Sequence, residues 1–277
     1  MTHTPIPTNF LYPDVKATAY RFGSGQLTGT PLREDGNWSD YLPPQEDQNI
    51  RGIESSACYV EASQHSIATI QEEQFNLPDQ NYSARFNTLL SNSTIFGGDP
   101  IAGGQSIRHD GLIPDAMMPF GSSVQSWDDF HSWKDVNKAK CLLAGLDWLK
   151  KWKPEYDIVF TREESVEAKY AKLRNALKYC PCPISVTAWY EDDGVYVKPA
   201  GSIDNHLVEA VYLDEQNRLH IRDTYAPYEK VLEPYFNFDF CLRWSLAQLS
   251  TPEFTSNWLW NMIRSLKEFF KDMFYKW

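Results

Sequence analysis

The sequence predicts an α+β fold with a mainly helical first half and a β-rich second half. Three segments of the first 180 residues have the spacing of apolar residues that is typical of helices: 58–73, 136–152 and 162–179. After them, short apolar runs alternate with turn residues, at 183–191, 194–200, 206–214 and 218–225. Helices followed by strands favour two lobes with a cleft between them.

The boundaries of several elements are also marked in the sequence. Gly97 to Pro100 breaks the chain, and a shorter helix is predicted from there to about His109, closed by Gly111. Ser165 is placed to cap the helix that follows it. A wide aromatic face predicts one more amphipathic helix at the end of the chain.

Composition limits the classes of function. The chain has 277 residues, of which 42% are hydrophobic and 23% charged, and this composition predicts a globular protein. Its net charge is -11. No basic cluster is present, so nucleic-acid binding is not expected. The five cysteines fit neither a disulfide framework nor a zinc site, so we expect free thiols, a reducing compartment, and no metal or other cofactor. No signal peptide or membrane-spanning segment is predicted.

We divide the chain into three parts. Residues 1–36 form an extended arm, residues 37–250 a two-lobe α+β domain, and residues 251–277 the amphipathic aromatic helix. Within the domain, the helical lobe covers about 50–152 and the β-rich lobe about 153–250. The terminal helix is expected to dock on its own domain, with self-association or membrane-interface contact through 256–277 as the alternatives.

Three residues make a coherent catalytic set. Cys58 begins the first long helix, where unpaired N–H groups and the helix dipole favour a thiolate. His206 and Asp223 lie at opposite ends of a predicted hairpin, which brings them together. The carboxylate would orient the imidazole, leaving the other ring nitrogen for the thiol. Considered singly, each of these residues is more often structural than catalytic.

The order of these segments resembles the papain-like cysteine peptidases. "ACYVEASQHSIATI" is similar to the catalytic cysteine and central helix, and "FGGDPIAGGQSIRHDGLIPDAMMPF" to the Gly-Gly segment and its following helix. "LKYCPCPISVTAW" and "DNHLVEAVYLDEQNRLHIRDTY" are similar to the later strands of the family, including the one that carries its histidine. The resemblance covers about residues 36–228 and implies a two-lobe fold that cleaves peptide or protein substrates.

The resemblance assigns roles residue by residue. It implies that Cys58 is the nucleophile, His206 the general base and acid, and Asp223 the orienting residue, at a position where the family usually has Asn. Gln48 corresponds to the glutamine of the oxyanion hole, and Gly97 and Gly98 to the strip that pairs with the substrate backbone.

The chain also departs from the family pattern. Gln48 lies ten residues before Cys58, further than usual, and Ser56-Ala57 replaces Gly-Ser. Tyr225 replaces the usual Trp, and the arm is too short for the usual inhibitory propeptide. Together with "DGNWSDYLP" and "ARF", these features look most like divergent members encoded by bacteriophages and some bacteria, which implies a cytoplasmic or virion location.

Three functions are therefore considered. The first is thiol-dependent hydrolysis of peptide bonds. The alternative is a catalytically weak or inactive structural, virion or binding protein on the same fold, assembled through its terminal helix. Amide hydrolysis or acyl transfer on a non-peptide substrate would use the same residues.

Overall fold

The structure is a computed structural model that describes residues 2–3, 11–13 and 29–249. The predicted terminal helix at 251–277 and most of the arm lie outside these residues. None of the helices in the described ranges is long and apolar enough to cross a membrane.

Six α-helices lie in the described residues. All six precede the last seven strands of the chain, and one long strand separates the fifth helix from the sixth. They are α1 (Cys58–Phe75), α2 (Ala84–Leu90), α3 (Pro100–Asp110), α4 (Trp127–Phe130), α5 (Lys138–Leu149) and α6 (Val166–Ala176). The four predicted internal helices are confirmed as α1, α3, α5 and α6. Gly111 ends α3, and the Ser165 side chain accepts from the Ala168 backbone N–H at the start of α6.

The strands form one large sheet and one small hairpin. They are β1 (Thr2–His3), β2 (Asn49–Ile50), β3 (Ile53–Glu54), β4 (Trp152–Thr161), β5 (Cys182–Val186), β6 (Tyr190–Asp192), β7 (Val195–Tyr196), β8 (His206–Leu213), β9 (Leu219–Arg222), β10 (Glu229–Leu232) and β11 (Phe240–Gln248). The nine-stranded sheet has the order β1-β6-β7-β10-β9-β8-β5-β11-β4, and β2 pairs only with β3. All pairs are antiparallel except β7 with β10.

The longest strand pair was not predicted from the sequence. β4 pairs with β11 along its whole length, and the helix expected to reach Trp152 ends at Leu149. Pro154 and the charged residues near the start of β4 obscure its alternation. Partners that lie 79 to 96 residues later in the chain supply the pairing, and no local pattern reveals such partners.

One apolar core joins the helical and β-rich parts. α1 is buried without a break from Cys58 to Gln71, and it contacts β8, β5 and β11. The helix that begins with the cysteine is thus packed directly against the strand that begins with the histidine. This α+β arrangement confirms the predicted fold class.

Candidate active site

Cys58 lies at the first position of α1 and is completely buried. Burial raises the pKa of its thiol well above the usual value, and only part of this is offset by a hydrogen bond with the Leu207 backbone. Nearby Glu61 and Glu54 raise the pKa further. The resting group is therefore a thiol, which needs a base before it can attack. The contact with Leu207 places the sulfur beside the first residues of β8.

His206 is the residue before Leu207, at the start of β8, and its ring is buried. Nε2 of the imidazole lies 2.6 Å from Oδ1 of Asp223, which follows the end of β9. Nδ1 is also buried and has no hydrogen-bond partner among the described residues. The ring thus has one nitrogen held by a carboxylate and one nitrogen available for proton transfer.

Three further groups hold the Asp223 carboxylate in place. Trp189 Nε1 donates to Oδ2 at 2.9 Å, Lys230 Nζ lies 2.7 Å from the same oxygen, and the Thr224 N–H donates to Oδ1 at 2.7 Å. Burial alone would raise the pKa of Asp223, but His206 and Lys230 together lower it. Asp223 is therefore ionised at neutral pH, which suits it to orient and stabilise an imidazolium.

Trp189 and Lys230 were not singled out from the sequence. Trp189 lies in the connection from β5 to β6, and its ring meets the His206 ring edge to face at 6.0 Å. Lys230 is buried in β10. A buried lysine beside a candidate aspartate is a usable signal, but it requires the strand pairing to be known first.

Gln48 reaches the site although it lies ten residues before Cys58. The β2–β3 hairpin contains most of the intervening residues, and the Ser55 N–H donates to the Gln48 carbonyl across its open end at 3.0 Å. On the other side, Thr224 Oγ1 donates to Gln48 Oε1 at 2.7 Å. The extra length is thus folded away, and Gln48 bridges the segments that precede Cys58 and follow Asp223.

Gly97 and Gly98 lie on the helical side of the site. Gly97 has a φ of 103°, a left-handed conformation that favours glycine, and exchanges two backbone hydrogen bonds with Thr94. A Cβ on Gly98 would overlap the ring of Tyr59, the residue after the candidate nucleophile. Glycine at 98 therefore lets its backbone lie against the start of α1.

Residues 11–13 of the chain's own arm contact this strip. The Leu11 N–H donates to the Gly98 carbonyl at 3.2 Å. In the next residue, Tyr12, the centre of the ring lies 3.5 Å from Cζ of the Arg162 guanidinium. The same ring packs edge to face on Phe240. The arm thus joins the glycine strip to the β4–β11 end of the sheet.

One cavity in the described residues lies away from Cys58 and His206. Its volume is about 510 Å³, and its walls include Ile70, Gln74, Lys153, Tyr179 and Trp244. Ile70 is twelve residues along α1 from Cys58, or about 18 Å. The open cleft expected at the catalytic set is therefore not formed by this cavity, and both Cys58 and His206 are covered.

The other expectations concern metals and thiols. All five cysteines are buried, and no disulfide joins any two of them. Among the residues that the structure describes, no group of His, Cys, Asp and Glu side chains is arranged to hold a metal ion.

Several solved structures of cysteine proteases are similar to this chain in fold. The chain has a papain-like fold. It is similar to xylellain, a cysteine protease from Xylella fastidiosa, with 14% identity, a TM-score of 0.57, and coverage of 87% of this chain and 98% of xylellain. It is similar to the bromelain protease from Ananas comosus in complex with the E64 inhibitor, with 15% identity, a TM-score of 0.52, and coverage of 76% and 97%.

A third papain-like structure gives the same result. Digestive procathepsin L 3 of Tenebrio molitor larval midgut matches with 12% identity, a TM-score of 0.51, and coverage of 79% of this chain and 71% of that one. No family model matches the sequence, and no curated protein matches it significantly. At these identities the likeness concerns the fold alone. It does not support the expected bacteriophage subtype.

Proposed function

We propose that this protein hydrolyses peptide bonds in peptide or protein substrates with Cys58 as nucleophile. The observation that carries the proposal is the His206 imidazole. Nε2 of this ring is held by a buried, ionised carboxylate, while the buried Nδ1 has no hydrogen-bond partner in the described residues. His206 lies on β8, the strand whose Leu207 backbone contacts the Cys58 thiol. A thiol with a raised pKa needs such a base.

The proposed reaction begins when Nδ1 of His206 takes the thiol proton of Cys58. The sulfur then forms a bond to the substrate carbonyl carbon, and the carbonyl electron pair moves to the oxygen. As the C–N bond breaks, His206 returns the proton to the leaving amine. Water, deprotonated by the same nitrogen, then attacks the thioester, and the acid and the thiol are released.

The surrounding groups have supporting roles in this proposal. Asp223 holds the imidazole in one orientation and stabilises its charged form. The Gln48 amide and the Cys58 backbone N–H would bind the oxyanion, and Gly97 and Gly98 would pair with the substrate backbone. The bond from Leu11 to Gly98 supports this last role, because it shows that the Gly98 carbonyl accepts a backbone N–H from an adjacent segment.

The direct test replaces the nucleophile. Cys58→Ala should reduce hydrolysis of denatured casein by about a thousandfold or more, measured as release of acid-soluble peptides. Cys141→Ala is the matched control, since Cys141 is equally buried but lies in a separate apolar cluster with Phe86 and Met118. Casein hydrolysis that survives Cys58→Ala would contradict the proposal.

A second test concerns access to the thiol. Leu11→Pro removes the N–H that donates to Gly98, whereas Leu11→Ala keeps it. We expect Leu11→Pro to increase the rate of Cys58 alkylation by iodoacetamide several-fold and Leu11→Ala to change it little, as followed by mass spectrometry. Equal rates in the two variants would show that this bond does not cover the site.

A further inference from the structure

Glu54, at the end of β3, is the centre of a hydrogen-bond cluster beside Cys58. Its Oε1 accepts from Gln48 Nε2 at 2.8 Å and from the Ser56 backbone N–H at 2.9 Å. Its Oε2 accepts from the Tyr225 hydroxyl at 2.5 Å. One carboxylate therefore links the oxyanion-hole candidate, the backbone two residues before the nucleophile, and the loop after Asp223.

The donors of Gln48 are fully used in this arrangement. A side-chain amide has two N–H groups. One of them donates to Glu54, and the other donates to the Tyr225 hydroxyl oxygen at 2.6 Å. The Glu54 carboxylate can only accept, which fixes which end of the amide is nitrogen, and Thr224 donates to the amide oxygen at the other end. In the resting site, Gln48 has no N–H left for a substrate.

One of the two acceptors must give way when a carbonyl oxygen binds. Hydrogen bonds to a carboxylate are stronger than those to a neutral hydroxyl, so the bond to Glu54 is the one that persists. Glu54 also holds Ser56 and keeps the hairpin end next to Cys58. The Tyr225 hydroxyl is the acceptor that a developing oxyanion would outcompete.

We infer that Glu54 is the positioning residue for Gln48, and that the Tyr225 hydroxyl occupies the Gln48 donor until a substrate carbonyl oxygen replaces it. This inference rests on the proposed function, because it assigns the site's oxyanion donor. It accounts for an oxyanion donor ten residues before Cys58: the β2–β3 hairpin brings Gln48 near, and Glu54 orients its side-chain amide.

The test compares two reactions of the same thiol in the full chain. The aldehyde acetyl-Leu-Leu-norleucinal forms a hemithioacetal: the sulfur bonds to the carbonyl carbon, the carbonyl electron pair moves to the oxygen, and the thiol proton ends on that oxygen. This product needs the oxyanion donors. Alkylation by iodoacetamide displaces iodide at a saturated carbon, so it does not need them.

Tyr225→Phe removes the competing hydroxyl together with its bond to Glu54 Oε2, and it leaves the bonds of Glu54 Oε1 to Gln48 and Ser56 in place. It should tighten aldehyde binding about fivefold, the equivalent of one ordinary hydrogen bond, with the alkylation rate unchanged. Tyr228→Phe is the control, since Tyr228 donates to Asp47 from the same loop. It should change neither reaction. Equal or weaker aldehyde binding in Tyr225→Phe would overturn the inference.

Glu54 is tested with two variants that lose the same charge. Glu54→Ala should weaken aldehyde binding about tenfold, while Glu54→Gln, which keeps an acceptor oxygen, should remain within about threefold of the wild type. A merely structural role would change both reactions together, so the ratio of aldehyde affinity to alkylation rate is the readout. Equal ratios in the two Glu54 variants would also overturn the inference.

These outcomes separate the inference from the proposed function. Aldehyde binding that follows the expected order without any peptide hydrolysis would overturn the peptidase activity and support the assignment of Glu54 and Tyr225. Peptide hydrolysis that depends on Cys58 but does not change in the Glu54 and Tyr225 variants would support the peptidase activity and overturn the inference. A Cys58 that reacts with neither reagent would overturn both.

Discussion

Two buried carboxyl groups on the β8–β9 hairpin have opposite surroundings. Asp223 has a lysine, an indole N–H, a backbone N–H and the His206 ring around it, and its pKa is lowered although burial acts to raise it. Neither oxygen of Glu209 has a hydrogen-bond partner in the described part of the chain, and burial raises its pKa, offset only in part by His65 and Arg222.

The difference shows where the fold supports a charge. Both side chains are equally buried, so desolvation does not distinguish them. The two side chains differ in their hydrogen-bond donors: several groups donate to Asp223, which lies beside the imidazole, and none in the described residues donates to Glu209. A buried carboxyl without donors becomes neutral instead. Three changes would break or sharpen this comparison.

Lys230→Met should have the largest effect. It leaves the buried Asp223 charge without its cation, and we expect a loss of about 3–5 kcal/mol in the free energy of unfolding at pH 7. The lowered pKa of Asp223 gives stability that is present above its unfolded pKa of about 4 and is lost as the pH falls through the folded value. The free energy of unfolding of Lys230→Met should therefore fall less between pH 7 and acid pH than that of the wild type.

Urea unfolding at pH 7 and at stepwise lower pH measures both effects. Lys172→Met is the control, because Lys172 pairs with Glu164 at the surface and should cost less than about 1 kcal/mol. A small cost for Lys230→Met at neutral pH would mean that Asp223 is not held as an anion by this lysine.

Glu209→Gln should have a smaller effect of the opposite sign. The raised pKa means that the folded state favours the neutral acid, so ionisation lowers stability as the pH rises through the unfolded value of about 4. The amide imitates the neutral acid, and we expect a gain of up to about 1 kcal/mol at pH 7 that disappears below about pH 4.

Thermal unfolding at both pH values checks this, with the exposed Glu215→Gln as the control. A loss of stability at pH 7 would show that Glu209 is needed as an anion opposite Arg222, its neighbour across the strands.

The smallest effect is expected in a double-mutant cycle. No hydrogen bond between Glu209 and Arg222 is present in the described residues, so their coupling energy should be below about 1 kcal/mol. The cycle between Asp223 and Lys230, joined at 2.7 Å, should exceed it severalfold. Equal coupling energies would remove the contrast between the two sites.

Much of the fold was predictable because its signals are local. Gly111 after α3 and Ser165 before α6 each act within a turn of helix. β4 and β11 were missed because each depends on the other across 79 to 96 residues of chain. The hairpin of β8 and β9 was predicted from a short turn, and it brought His206 and Asp223 together.

The supporting residues of the candidate site were harder to predict. Trp189, in the β5–β6 connection, and Lys230, in β10, converge on Asp223. Glu54 reaches Gln48 because the β2–β3 hairpin folds the intervening residues back. Side-chain hydrogen bonds of this kind leave no periodic trace in a sequence. The buried state of Cys58 was also not predicted, since it depends on what packs over the thiol.

The contact of Leu11 with Gly98 has a consequence for any assay. A segment attached to the same chain meets the backbone of Gly98 at an effective concentration on the order of millimolar. A free peptide at micromolar concentration competes poorly against such a tethered rival. The measured turnover would then report how often the chain releases its own residues 11–13, and the chemical step would be hidden behind that release.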